Sequence, residues 1–225
     1  MSTSLLELLR LTSTTLPVGA YSYSQGLESA IEAGIVHDAG SAENWIADCL
    51  QHSIEKLEAP VMLRLHRGWS AGDENTIANW SEYFLASRDS AEFRAETIQM
   101  GYSLRRLLLD METGDEAQRA ALAAIDDIPF PAAWSYAAVQ GGVDEHTAAL
   151  GYLFSWAENQ VLAALKAVPL GQVSGQRLMR SLAPQIESAA QFALGLADED
   201  ISNWTPGLSL LSMQHEIQYS RIFRS

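Results

Sequence analysis

Apolar residues return every three to four positions along nearly all of this 225-residue chain, and almost nowhere do they alternate. That spacing is the period of a helix with one buried face; a half-buried strand alternates at every second residue. The clearest run is Ile46, Leu50, Ile54, Leu57, Val61 and Leu65. Leu5, Leu8, Leu9 and Thr12 predict a short first helix, and Ile77, Trp80 and Phe84 another between Asp73 and Ala86. Phe93, Thr97, Met100, Leu104, Leu107 and Met111 predict a long one that ends before Gly114. Further helices are predicted over 116–125, 132–140, 144–168, 178–196 and from Thr205-Pro206 to about Ile217. The expectation is an all-α fold, a single-domain helical bundle of roughly ten helices spanning residues 1–225.

The punctuation between these runs is specific. Ser22-Tyr-Ser-Gln25 fits the capping box that opens a helix, with Gly34 as its stop. Ser41 and Asp144 are candidate caps. Pro60 falls inside the longest apolar run, where it removes a backbone donor and crowds the preceding turn, so a kink or break is expected there. Pro184 is expected to disturb its helix in the same way. The most buried helix is expected to be the one over 144–168, with Leu150, Phe154, Ala157, Val161, Leu165 and Val168 on one stripe and Tyr152 and Trp156 on another. Its central Glu158, Asn159 and Gln160 are incompatible with a lipid-facing span.

Charge narrows the partners. Fourteen Lys and Arg stand against 28 Asp and Glu, a formal charge of −14. Such a surface repels phosphate backbones, so neither nucleic acid nor an anionic membrane is an expected partner. Cys49 is the only cysteine, and the first residues lack the basic start and apolar core of a secretory signal, so the cytoplasm is the expected location.

No nucleotide-binding, zinc-protease, nucleophile-elbow or C-x-x-C pattern is present. Asp126-Asp127 and Asp198-Glu-Asp200 have the composition of helical magnesium clusters but sit at helix ends, where solvated acidic turns are common. Cys49, His52 and Glu55 share roughly one side of a helix, and with His215 they are the weak metal-ligand candidates. One helix face cannot close a coordination sphere, so core-edge packing is the alternative. Lys166 stands in the last turn of a nearly uncharged helix, where it either balances the helix dipole or faces a partner. The ending His215-Glu-Ile-Gln-Tyr-Ser-Arg-Ile-Phe-Arg-Ser225 combines Arg221 and Arg224 with Tyr219 and Phe223, the residue types enriched at interface hot spots. It either docks on its own core or orders against another protein.

Leu16-Pro-Val-Gly-Ala-Tyr-Ser-Tyr-Ser-Gln-Gly-Leu-Glu28, with Glu32-Ala-Gly34 after it, resembles the N-terminal signature of the urease accessory protein UreF family. Gln218-Tyr-Ser-Arg-Ile-Phe-Arg-Ser225 resembles the family's C-terminus, and Lys166-Ala-Val-Pro-Leu-Gly-Gln172 its lysine-proline-glycine-glutamine turn. Ala20 stands where many relatives have a second glycine. The resemblance implies an all-α homodimer without catalytic activity and without a stably bound cofactor. It implies a chain that joins UreD (also called UreH), recruits the GTPase UreG and docks on apo-urease, with nickel handled transiently. An arginine-donating activator of UreG and a helical metal-dependent enzyme are the other two readings. The expected partner-binding residues are Tyr21, Tyr23, Lys166, Gln218, Tyr219, Arg221, Phe223 and Arg224, with 218–225 as a partner-binding tail.

Overall fold

The computed structural model describes residues 2–225, and every regular element among them is helical. The α-helices in order are α1 (Ser2–Leu11), α2 (Leu27–Glu32), α3 (Ala39–Cys49), α4 (Ala59–Ala71), α5 (Glu74–Ala86), α6 (Ala91–Asp110), α7 (Glu116–Ala123), α8 (Phe130–Gln140), α9 (Glu145–Ala167), α10 (Gln172–Gly195) and α11 (Pro206–Glu216). The all-α expectation holds. Helix α8 lies at the centre, packed between α4 and α6, while α9 runs along α10 and also touches α4.

The disturbance expected at Pro60 takes the form of a π-helical widening over the residues before the proline, and the helix itself does not break. A π-helical segment, Leu50–Glu58, joins α3 to α4. Within it the Ala59 N–H reaches back five residues to the Ile54 oxygen. Pro60 has no N–H to give the Lys56 carbonyl, which instead accepts the Ser202 N–H at 3.2 Å. The wider turn therefore keeps the apolar stripe continuous: Ile46, Leu50, Ile54, Leu57, Val61 and Leu65 are all buried. At Pro184 the expected disturbance does not end the helix, and α10 runs through it. Pro184 and Arg180 are both exposed, which lets solvent replace the missing donor.

Three further expectations are corrected. Helix α3 starts two residues before Ser41: Asp38 is the N-cap, and Ser41 completes a capping box by holding the Asp38 backbone N–H at 3.0 Å. The helix over 144–168 is not the most enclosed, since Phe154 and Leu162 on α9 are exposed, whereas Pro131 through Ala138 of α8 are all buried. Small residues explain this, because alanines and Gly101 let neighbouring backbones close in on α8. A Cβ on Gly101 would collide with the Ile128 backbone oxygen and lie 2.9 Å from the Pro129 carbonyl carbon. The third correction, at Ser22-Tyr-Ser-Gln25, shapes the site.

Candidate functional site

Residues 16–28 and 215–225, far apart in sequence, meet at one end of α6 and α9. The first segment turns at Gly19 (φ +78°), makes one 3₁₀ turn over Ala20–Ser22, and then takes two left-handed residues, Gln25 (φ +53°) and Gly26 (φ +84°). Helix α2 starts only at Leu27, so the Ser22–Gln25 capping box does not form. Gln25 is diverted to a tertiary role. Its amide Nε2 donates to Glu96 Oε1 at 2.7 Å, and its Oε1 accepts from Trp156 Nε1 at 2.6 Å. The N-cap of α2 is Gly26, without a side-chain cap, and Ser24 Oγ accepts the Glu28 N–H of the first turn at 3.3 Å.

The C-terminal segment supplies what this turn lacks. The Ser225 backbone oxygen accepts from the Ser24 N–H and Oγ, each at 2.6 Å, and from the Gln25 N–H at 3.2 Å. The Arg224 N–H donates to the Ser22 oxygen at 2.8 Å. A left-handed residue other than glycine persists only where its surroundings hold it, and here the end of the chain does so.

Three carboxylates hold the segment. Glu28 accepts the backbone N–H groups of Ile222 (2.7 Å) and Phe223 (2.9 Å) and faces His215 Nε2 at 3.1 Å. Glu92 faces His215 Nδ1 at 2.7 Å and accepts from Arg221 at 2.8 Å. Glu96 accepts the Ser225 hydroxyl at 2.7 Å. Phe223 fills a small apolar cluster with Leu27, Ala30, Val36, Ala163, Ala164 and Val168, and the Lys166 ammonium stands 4.6 Å from its ring centre. Lys166 thus contacts the protein's own C-terminal segment, a third role beside the two anticipated from sequence.

The expected partner residues divide by exposure. Tyr219 is fully exposed, Tyr21 is 72% exposed, and Lys166, Arg221 and Arg224 are on the surface. Gln218 is partly covered and donates to the Ser220 oxygen. Tyr23 and Phe223 are only 6% and 4% exposed, so within this chain they anchor the two segments instead of offering a surface. Burial raises the Tyr23 hydroxyl pKa, with Glu96 adding to the rise and Arg224 opposing it.

The metal candidates are not brought together. His215 is enclosed between Glu28 and Glu92, whereas Cys49 and His52 lie on α3 and the π segment. Desolvation, with a contribution from Asp48, pushes the Cys49 thiol up to about 12, so it keeps its proton where a metal ligand must lose it. Among the described residues no group of three His, Cys, Asp or Glu is placed to hold a metal ion. Of the acidic turns, Asp198 accepts from the buried Arg64 at 2.8 Å, and Asp127 stands 3.6 Å from Arg94.

Beside Glu96 lies a cavity of about 120 Å³, walled by Leu16, Val18, Phe93, Met100 and Trp156 with Gln25 and Glu58 at its polar side. Arg88 pairs with Glu58 at 2.9 Å, and Tyr152 donates to the same carboxylate at 3.1 Å. Burial pushes Glu96 up to about 7, aided by Glu58 and opposed by its hydrogen bonds from Ser225 and Gln25 and by Arg88. Glu92, Glu96, Glu58 and Arg88 did not stand out as site residues in the sequence. One signal was present: Glu96 lies four residues before Met100, on the stripe that faces inward.

This geometry defines a class: an all-helical scaffold whose buried carboxylates grip the protein's own C-terminal segment while leaving tyrosine and arginine side chains outside. The chain belongs to the UreF family. Residues 36–183 match the family's UreF pattern. The urease accessory protein UreF of Janthinobacterium sp. (strain Marseille) is 56% identical over 222 residues, covering 99% of this chain and 98% of that protein. The proteins of the same description from Nitrosospira multiformis and Dechloromonas aromatica are 53% and 51% identical over 222 residues; they cover 99% and 98% of this chain, and the matches span 98% and 97% of those proteins. None of the described helices is long and apolar enough to cross a membrane.

Proposed function

We propose that this chain is a non-catalytic adaptor in urease maturation. It joins UreD (UreH) and recruits the GTPase UreG to apo-urease, as a homodimer in the cytoplasm, with nickel passing through the assembly as cargo and no cofactor held by this chain. Its relatives carry the description urease accessory protein, which supports the pathway. The observation that carries the adaptor reading is the divided C-terminal segment. Phe223 and Ser225 are buried anchors, while Tyr219, Arg221, Ile222 and Arg224 face outward from them. Aromatic and arginine side chains presented on a fixed backbone are what an interface hot spot needs, because little ordering entropy remains to be lost. Tyr21 offers a second exposed aromatic side chain, on the opening segment whose Ser22 oxygen accepts the Arg224 N–H.

Complementation tests this reading. Urease and the other accessory proteins are expressed without the chain, and wild type or a Tyr219→Ala/Arg224→Ala variant is added back. Wild type is expected to restore nickel content and urea hydrolysis. The variant should keep its helical circular dichroism yet fail to co-purify with UreD. Truncating 219–225 is a poorer test, because it also strips Ser225 from Glu96. Unchanged co-purification and activation would remove the segment from the interface. Retained binding with UreG turnover lowered about a thousandfold by Arg221→Ala, Arg224→Ala or Arg177→Ala, the last an exposed residue of α10, would replace the adaptor with an arginine-donating activator.

A further inference from the structure

The three carboxylates that hold the C-terminal segment are not equivalent. Glu28 and Glu92 share His215, and Glu92 also binds Arg221, so both have a basic group in contact. Glu96 has none. Its two oxygens contact only neutral groups, the Gln25 amide and the Ser225 hydroxyl, whose hydrogen bonds oppose the effect of burial without cancelling it. Arg88, a cation whose field reaches it, is already paired with Glu58 at 2.9 Å. The residue is only 5% exposed, and Ser225, which covers it, is 1% exposed. A buried carboxylate beside a second carboxylate and without a cation of its own favours the protonated form.

We propose that residues 222–225 are a releasable latch, closed while Glu96 holds a proton and opened when Glu96 ionises. The proposal rests on reading the C-terminal segment as a partner contact and adds its regulation. Opening lifts Ser225 from Glu96 and lets water reach the carboxylate. It also removes the Ser225 oxygen from Ser24 and Gln25, while the Gln25 side chain keeps its bond to Trp156.

The charged surroundings agree with this direction. Glu58 of the π segment faces Glu96 and raises its proton affinity, Arg88 between α5 and α6 opposes that, and Tyr152 of α9 stays protonated because of burial and Glu58. From the opening segment comes Tyr23, whose hydroxyl feels both Glu96 and Arg224 of the latch itself. Glu28 of α2, Glu92 of α6 and His215 of α11 form the separate half of the clamp described above. In the closed state Glu96 sits at about 7 against an ordinary 4.5. Opening therefore releases a proton between those values. Its equilibrium constant should rise about tenfold per pH unit from 4.5 to 7, roughly 300-fold in all, and level off above 7.

Amide hydrogen exchange on the isolated chain tests this directly. Protection of the Ile222, Phe223 and Arg224 N–H groups, corrected for intrinsic rates and referred to amides of α8, is followed from pH 5 to 8. Protection is expected to fall about tenfold per unit up to pH 7 in wild type and to stay flat in Glu96→Gln. A flat wild-type profile, or the same slope in Glu96→Gln, overturns the latch. Carboxyl-carbon NMR of wild-type Glu96 is a second readout that needs no substitution: a midpoint near 7 is expected, and one near 4.5 overturns the proposal. Neither measurement involves a partner, so unchanged co-purification of the Tyr219→Ala/Arg224→Ala variant with UreD would count against the adaptor reading and leave the latch standing.

Discussion

Helix α8 and the segment 215–225 are both packed against α6, yet they are held by opposite means. Residues 131–138 are buried almost entirely through apolar contacts: Trp134 and Tyr136 have no exposed surface, and alanines fill the spaces between helices. The C-terminal segment buries one large apolar side chain, Phe223, and relies otherwise on hydrogen bonds to Glu28, Glu92 and Glu96. Apolar burial is indifferent to protons and lost only when the helix leaves the core. A carboxylate clamp is directional and tied to protonation, so it can open while the core stays intact.

The largest expected effect lies on the α8 side of this contrast. Trp134→Ala removes a fully buried indole and should lower unfolding free energy by about 3–5 kcal/mol. In urea titrations that loss should be the same at pH 5 and pH 8; a marked pH dependence would show that the core and the clamp are not separate. Next comes the clamp. Burial raises Glu96 to about 7, so the folded state binds its proton more tightly than the unfolded chain does. Its contribution is complete below about 4.5 and is lost as pH rises to about 7, at most about 3 kcal/mol. The stability difference between wild type and Glu96→Gln, measured at pH 5 and 7.5, isolates that share from His215 and the other carboxylates. The smallest effect is Lys166→Ala, which deletes the cation over Phe223. Loss of about 0.5–1 kcal/mol should appear as faster exchange at the Phe223 amide, with the global denaturation midpoint unchanged. A shifted midpoint would make Lys166 part of the core.

Much of the fold could be read without coordinates because helix period and capping are local. The stripe from Ile46 to Leu65 is buried as its spacing requires, and Asp144 caps α9 through its side chain as expected; Asp73, Ser90 and Asp115 cap their helices in the same way without having been singled out. Local signals failed where a distant group outbid them. Ser22 and Gln25 have capping-box spacing, but Glu96 and Trp156 offer Gln25 stronger partners than a backbone N–H does. Tyr21 and Tyr23 are two residues apart in one motif. One is exposed and the other buried, because the 3₁₀ turn between Gly19 and Tyr23 sends them in different directions.

The chain's period, caps and prolines by themselves determined that it is all helical, where α5, α7, α9 and α11 begin, and that Pro60 must disturb the longest stripe. The two end motifs determined the family. Only the tertiary structure decided which carboxylates lie inside, that Glu96 lacks a cation of its own, and that Ser225 closes over it. Helix formation depends on residues within a turn of one another, so it is written locally. The protonation of a buried carboxyl depends on charges and solvent brought within a few ångströms from anywhere in the chain, here from positions as far apart as Gln25, Glu58 and Ser225.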